Sequence, residues 1–314
     1  MTLSRRAVLG GAGALALASR VHAAPRHQYQ LRPVEVADGL WMVEGRREYF
    51  TRENGGAIVN VAFARTDVGA VVFDTGSTRR FGEALREAVT AAAPTGIAAV
   101  INTHHHPDHF FGNQVFADRP LRALGATRAL AAEHGAGYAD NLYGLLGDWM
   151  RGTDPVPPAE TLEGGDFAIG GRAFRALPLA GHTEADLAIL DLRTGTLIAG
   201  DLAFLDRAPT TPSADLPAWR ASIDALEALG AGGVMPGHGP FDRTGAALAQ
   251  TRAYLDWLER TLRDAAEQGL DFVEALRLPL PPEFAAMGAQ PNEFERSVAH
   301  LFPSYEMAAL PRVD

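Results

Sequence analysis

The stretch INTHHHPDHFFGN, residues 101–113, places four of the chain's ten histidines between positions 104 and 109, with an aspartate among them. Imidazoles crowded in this way repel one another once protonated and add little to packing, so convergence on a cation is the chemistry to consider. His104 and His106 are two apart and project to one side of an extended chain. Asp108 and His109 follow Pro107. Further along, His182 lies in LAGHTEAD, Asp201 in IAGDLAF and His238 in MPGHGP. Each stands beside a glycine, where the backbone can turn and leave the side chain facing a cleft. Divided between two cations, the seven donors balance. His104, His106 and His182 suit one tetrahedral zinc with an open position; Asp108, His109 and His238 suit a second; Asp201 can bridge the two. Cations about 3.5–4 Å apart bring a shared water toward neutral pKa and act on both ends of a displacement. The chain contains no cysteine, so nitrogen and oxygen donors alone must hold the metal, which suits zinc, iron or manganese.

The elements that must position these donors can be read from apolar periodicity. GLWMVEG, GAIVNVAFAR and GAVVFDTG, within 38–76, are short strand-like runs bounded by turn residues. Residues 78–93 have helical spacing, with Phe81, Leu85 and Val89 on one face, and Pro94 stops the helix. IAAVINT, 97–103, reads as a buried strand that delivers the histidine cluster at its C-terminal end. A helix is expected over 126–135. The Gly- and Pro-containing segment 136–163 then reads as an excursion, either a surface feature with its own small core or a lid. Four strands follow between 166 and 206. A helix over 213–229 starts from a Ser213 cap, and GGVMPGHG is a strand ending in a histidine turn. A long amphipathic helix spans 243–268, with Leu248, Tyr254, Leu255, Leu258 and Leu262 inward. The tail is expected to be irregular with one helix, 291–300. Composition does not break between the halves, so residues 24–314 read as one domain with a helical C-terminal extension.

The first 23 residues stand apart. Arg5 and Arg6 precede an apolar run, 7–18, and Val21-His22-Ala23 has the form of a cleavage site. The run is shorter than the roughly 20 residues needed to span a bilayer. The layout is that of a cleaved signal peptide of twin-arginine type, which places the protein in the periplasm without stable membrane insertion. A net charge of −10 argues against nucleic acid as a partner.

In the order H-x-H-x-D-H, G-H, G-D and P-G-H-G, the motifs resemble the metallo-β-lactamase superfamily over roughly residues 38–242. The resemblance implies an α/β fold, the four-layer αβ/βα sandwich, with the metals at one edge. It also implies that Asp74, in VVFDTG, orients a histidine ligand. His106 stands where the flavodiiron branch carries glutamate, and the absence of cysteine excludes the lactamase subclass with a Cys ligand. Asp201 at the bridging position is similar to glyoxalase II, lactonases and related hydrolases, and also to persulfide dioxygenases, which hold a single iron. A closer resemblance rests on ENGGAIVN (53–60), NTHHHPDHFFGNQVF (102–116), NLYGLLGDWMRGT (141–153), GDLAFLDRAPTTPSADLPAW (200–219) and ERSVAHLFPSYE (295–306). These are similar to the exported quinoprotein relay system zinc metallohydrolases, which are SoxH-related. That implies work beside a PQQ-dependent dehydrogenase and names no substrate.

The expected activity is hydrolysis of an ester, lactone, thioester or amide in a small molecule by a metal-bound hydroxide, with two Zn2+ per chain. Asp108 doubles as ligand and catalytic carboxylate. The alternatives are a mononuclear iron dioxygenase acting on sulfur compounds and a non-catalytic metal-holding accessory of a quinoprotein system. Four further residues are candidates for substrate contact. Asn54 lies on a hairpin that the resemblance places over the metals, or simply closes a turn. Tyr143 and Trp149 could wall an apolar pocket or anchor the excursion. Arg207 could clamp a substrate carboxylate or lie at the surface.

Overall fold

A computed structural model describes residues 27–310; the expected signal segment, 1–23, lies outside them. Strands β1 (Val34–Ala37), β2 (Leu40–Val43), β3 (Val61–Thr66) and β4 (Gly69–Phe73) pair antiparallel in sequence order. Helix α1 (Arg79–Ala92) crosses to β5 (Ile97–Ile101), which pairs parallel with β4. A single turn, α2 (Pro107–Phe110), leads on to β6 (Leu121–Ala123), α3 (Gly125–Leu146) and the edge strand β7 (Glu160–Thr161). These seven strands form one sheet. A second sheet holds β8 (Gly165–Ile169), β9 (Arg172–Leu179), β10 (Asp186–Asp191), β11 (Thr196–Phe204) and, after helix α4 (Leu216–Glu227), β12 (Gly233–His238). Helix α5 (Ala246–Glu267), the single turns α6 (Phe272–Ala275) and α7 (Pro282–Ala285), and α8 (Asn292–Ala309) follow.

Strands apolar on both faces must be covered on both sides, and this dictates the layering. In β4, Val72 faces Phe81, Leu85 and Val89 of α1. Its neighbours Val71 and Phe73 face Phe174, Leu187 and Ile189 of the second sheet. On the far side of that sheet, Leu197 and Ala199 of β11 join Trp219, Ile223, Tyr254, Leu258 and Phe302 of α4, α5 and α8. Helix, sheet, sheet and helix give the expected αβ/βα sandwich. A buried ion pair, Arg172 to Asp191 at 2.5 Å, sits at the last residue of β10. Among the described residues no helix is long and apolar enough to cross a membrane.

Four elements depart from the sequence reading. The helix expected over 126–135 continues to Leu146 and ends at Gly147, which has φ 60°. The part beyond 135 buries Leu142 and Leu146, but Gly137 before them and Gly144 between them obscure the helical period. The first half of segment 136–163 is therefore helix. Leu142, Leu146, Trp149 and Met150 pack into the core under α1 rather than into a separate one. The α4 cap is Asp215, which accepts from the Ala218 N–H at 2.9 Å, and not Ser213. The last helix runs through Pro303 to Ala309, because Phe294, Val298 and Phe302 pack beside α5 residues and outweigh proline's lost hydrogen bond.

Candidate metal centre

Loops at one edge of both sheets bring the donors together. Beyond β5 the chain bends over residues 103–105 and is extended again at His106, which precedes α2; Pro107 at the first helical position pre-sets the turn that presents Asp108 and His109. His182 sits between β9 and β10, in a loop closed by Asp186, which accepts from the Thr183 N–H at 2.9 Å and the Thr183 hydroxyl at 2.7 Å. Asp201 lies inside β11, where pairing with β12 shifts register around Gly200, whose φ is 54°. A bulge of this kind re-aims the following side chain. His238 ends β12, and Asn60 staples that turn by donating to Pro236 O at 2.8 Å and Gly239 O at 2.7 Å.

Two groups result, His104, His106, His182 and Asp201 in one, Asp108, His109 and His238 in the other. His106 Nδ1 lies 3.1 Å from His104 Nε2 and 2.9 Å from His182 Nε2. Asp201 Oδ2 is 3.3 Å from His182 Nε2, while its Oδ1 is 3.3 Å from His109 Nε2. Asp108 Oδ2 is 3.4 Å from His238 Nε2 and 3.8 Å from His109 Nε2. Asp201 Oδ2 is also 3.4 Å from His238 Nε2, so its carboxylate lies between the two groups and within reach of both.

The far nitrogens explain why the near ones face each other. His182 Nδ1 meets the Thr210 carbonyl at 3.1 Å, His238 Nδ1 the Ile58 carbonyl at 2.8 Å, and His109 Nδ1 the Asp74 carboxylate at 2.8 Å. The Thr103 hydroxyl donates to Asp74 at 2.8 Å and so accepts from His104 Nδ1 at 3.1 Å. Each of these four rings has its Nδ1 engaged outward and turns Nε2 inward, the nitrogen a metal would take. Those of His109, His182 and His238 face the oxygens of Asp201 at 3.3–3.4 Å, where nitrogen and carboxylate lone pairs repel unless a cation or proton lies between them. His109 Nε2 and Asp201 Oδ1 are buried and have no hydrogen-bond partner among the described residues. The donor set therefore fits divalent metal, zinc included. Burial, reinforced by the neighbouring imidazoles, holds His104 and His182 well below the usual histidine range and His106 down to about 3, so these three are neutral ligands. Burial disfavours charge on Asp201 as well, but His238 and His109, whose own pKa values the surrounding carboxylates push up against their burial, outweigh it and hold Asp201 well below the usual carboxylate range.

The resemblance gave Asp74 the orienting of a histidine ligand, and its carboxylate lies 2.8 Å from His109 Nδ1. Asp74 adopts φ 62° and, besides His109, takes the Thr103 N–H at 2.8 Å. Replacing Asp74 with alanine should weaken zinc binding about 10- to 100-fold, read by chelator competition, because His109 loses the partner that sets its tautomer. Unchanged affinity would refute that role.

The expected substrate residues fare differently. Asn54 closes its own turn, accepting from Thr51 and Gly56 N–H groups and donating to the Tyr49 carbonyl. Trp149 donates to the Arg52 carbonyl at 2.8 Å and packs on Tyr29, and with Asn54 it also lines a cleft that includes Met42 and Phe241. Tyr143 is 55% exposed. Arg207 is neither a surface residue nor a free clamp; it is buried and paired with Glu293 at 3.0 Å. His105 belongs to neither group and lies beside His134 and Tyr138. Sequence reasoning missed Thr103, the carbonyls of Ile58 and Thr210, Tyr138, whose ring is 6.2 Å from that of His106, and Ser213, whose hydroxyl is 3.3 Å from His106 Nε2. Only Thr103, next to a ligand, carried a local signal.

The family model described as the Metallo-beta-lactamase superfamily matches residues 54–238, more than half of the chain, and all seven donors fall inside that stretch. The hydroxyacylglutathione hydrolase of Synechococcus sp. (strain JA-3-3Ab) is 32% identical over 108 residues, 34% of this chain and 35% of that protein. Its counterpart from strain JA-2-3B'a(2-13) is 31% identical over the same length. The match spans about a third of the length of these relatives. Among solved structures, a metallo-beta-lactamase from Pontibacter korlensis superposes with a TM-score of 0.60 at 24% identity, covering 72% of this chain and 99% of that one. The metallo-beta-lactamase FIM-1 from Pseudomonas aeruginosa, in its mono-zinc form, gives 0.58 at 16% identity, covering 74% and 98%. At these identities the likeness is one of fold.

Proposed function

Since the chain belongs to the metallo-beta-lactamase superfamily, we propose that it is an exported zinc-dependent hydrolase cleaving an ester, lactone, thioester or amide in a small molecule. The observation that carries this reading is the division of the donors into two groups with the carboxylate of Asp201 between them. His104, His106 and His182 would hold one zinc, Asp108, His109 and His238 the other, with Asp201 shared. Zinc bound there lowers the pKa of water toward neutrality and draws charge from the carbonyl oxygen under attack. The chain's own groups supply the rest. Asp108 is the carboxylate placed to take the proton lost as water adds to the carbonyl carbon, and to return it to the departing oxygen, sulfur or nitrogen. His106 is the least buried of the seven donors, so the substrate approaches on its side, past Ser213 and Tyr138.

Thioesters stand first among substrates to test, because the curated relatives are hydroxyacylglutathione hydrolases. Export rests on the paired arginines and apolar run at the N-terminus. A functional link to a PQQ-dependent dehydrogenase rests on the five sequence stretches shared with quinoprotein-associated metallohydrolases.

Elemental analysis of the exported protein is the test. About two zincs per chain are expected. Chelation should abolish turnover and lower Tm by roughly 10 °C, since a tightly held ligand adds about 4 kcal/mol of stability, and zinc should restore both. About one iron per chain, with oxygen uptake on persulfides, would overturn the reading in favour of a dioxygenase. Two zincs with no turnover across esters, lactones, thioesters and β-lactams would leave a metal-holding accessory.

A further inference from the structure

Arg207 and Glu293 form an ion pair as completely buried as any in the described residues, and it lies directly behind the metal centre. Arg207 Nη2 donates to Glu293 Oε1 at 3.0 Å, and the Thr210 hydroxyl donates to the same oxygen at 2.9 Å. Arg207 Nη1 reaches back to the Thr210 hydroxyl at 3.1 Å and the Ala208 carbonyl at 3.2 Å. One residue on, the Thr211 hydroxyl donates to Ser297 at 2.7 Å, and Ser297 donates to the Glu293 carbonyl. The loop 207–211 is thus sewn to the first two turns of α8. That loop carries the Thr210 carbonyl that accepts from His182 Nδ1. Arg207 also stacks over the Phe204 ring, 5.6 Å from its centroid, and Phe204 stacks on His238 at 5.3 Å and 9°. One pair therefore backs a histidine from each group of donors.

We propose that Glu293, acting through Thr210 and Arg207, is a positioning residue of the metal centre, so that the C-terminal helix sets the carbonyl that holds His182 in its metal-binding tautomer. The inference rests on the reading that His182 is a metal ligand. Two effects act in the same direction. Without Glu293 the Thr210 carbonyl is free to turn from His182, whose proton could then move to Nε2, the nitrogen that must be bare. Arg207 would also become an uncompensated positive charge buried beside a site for cations.

The test is zinc titration of the full chain by chelator competition, with cobalt substitution to read the ligand field optically. Glu293→Gln and Thr210→Val should each weaken one zinc-binding step about 10- to 100-fold, the step that His182→Ala abolishes, and shift the cobalt bands. Thr210→Ser should restore both. Asp191→Asn, which breaks the equally buried pair with Arg172 at the other end of β10, should lower Tm and leave zinc affinity unchanged. Because Glu293→Gln could unfold the chain by stranding Arg207, the double variant Arg207→Met with Glu293→Gln is measured beside it, and it too should bind zinc more weakly. Wild-type zinc affinity and cobalt spectrum in Thr210→Val and in the double variant would overturn the proposal. A chain that binds a single zinc through His182, weakened by Glu293→Gln, would uphold the positioning role while overturning the two-zinc reading.

Discussion

Replacing Asp108 with alanine should give a folded chain that keeps about one zinc and hydrolyses its substrate about 1,000-fold more slowly, a loss of roughly 4 kcal/mol in transition-state stabilisation. Asp108 stands in the single turn α2 and adds nothing apolar to the core, so the fold has little to lose. The second group has much to lose. Its three members are Asp108, His109 and His238, and Asp108 is the only anion among them. Without it two imidazoles must hold a dication with only the far oxygen of Asp201 to help. The same substitution removes the group assigned to carry the proton, so the two deficits act together. Zinc content, circular dichroism and turnover on one preparation decide the matter. Turnover within about tenfold of wild type would sink the two-zinc mechanism.

Gly237→Ala should disable the centre without altering any ligand. A Cβ built on Gly237 would lie 1.9 Å from Asp201 Oδ1 and 2.8 Å from the Gly200 carbonyl carbon. Real contacts are never so short, and the nearest backbone is the bulged part of β11, which cannot retreat without losing its pairing with β12. Asp201 Oδ1 is the atom that faces His109, 3.3 Å away. The methyl group must therefore displace the bridging carboxylate, and both zinc-binding steps should weaken together. The expected loss of turnover is of the order of 1,000-fold, about that of removing a ligand, because a displaced bridge no longer serves either group. Wild-type zinc stoichiometry and affinity in Gly237→Ala would contradict the assignment of Asp201 as the bridge.

The sequence by itself determined the chemistry of the donors and most of the frame. Histidine and aspartate at seven positions, with no cysteine, limit the choice of metal whatever the fold. The inward faces of α1 and α5 were legible because an apolar residue every three or four positions is a local signal. The strands of the second sheet were legible as short apolar runs, continuous rather than alternating in β11 and β12, which are buried throughout. Only the tertiary structure decided how the donors are held. His182 and His238 are oriented by backbone carbonyls, at Thr210 and at Ile58, 180 residues away from His238. A carbonyl is the same group in every residue, so nothing in the sequence marks the one that will be used. Arg207 shows the converse. Its side chain is visible in the sequence, but whether a guanidinium clamps a substrate, meets solvent or pairs in the interior depends on what folds against it, and Glu293 lies 86 residues further on. Helix α3 was read only as far as 135: beyond it Gly137 and Gly144 interrupt the local pattern, and it took the packing of Leu142 and Leu146 into the core under α1 to carry the helix on.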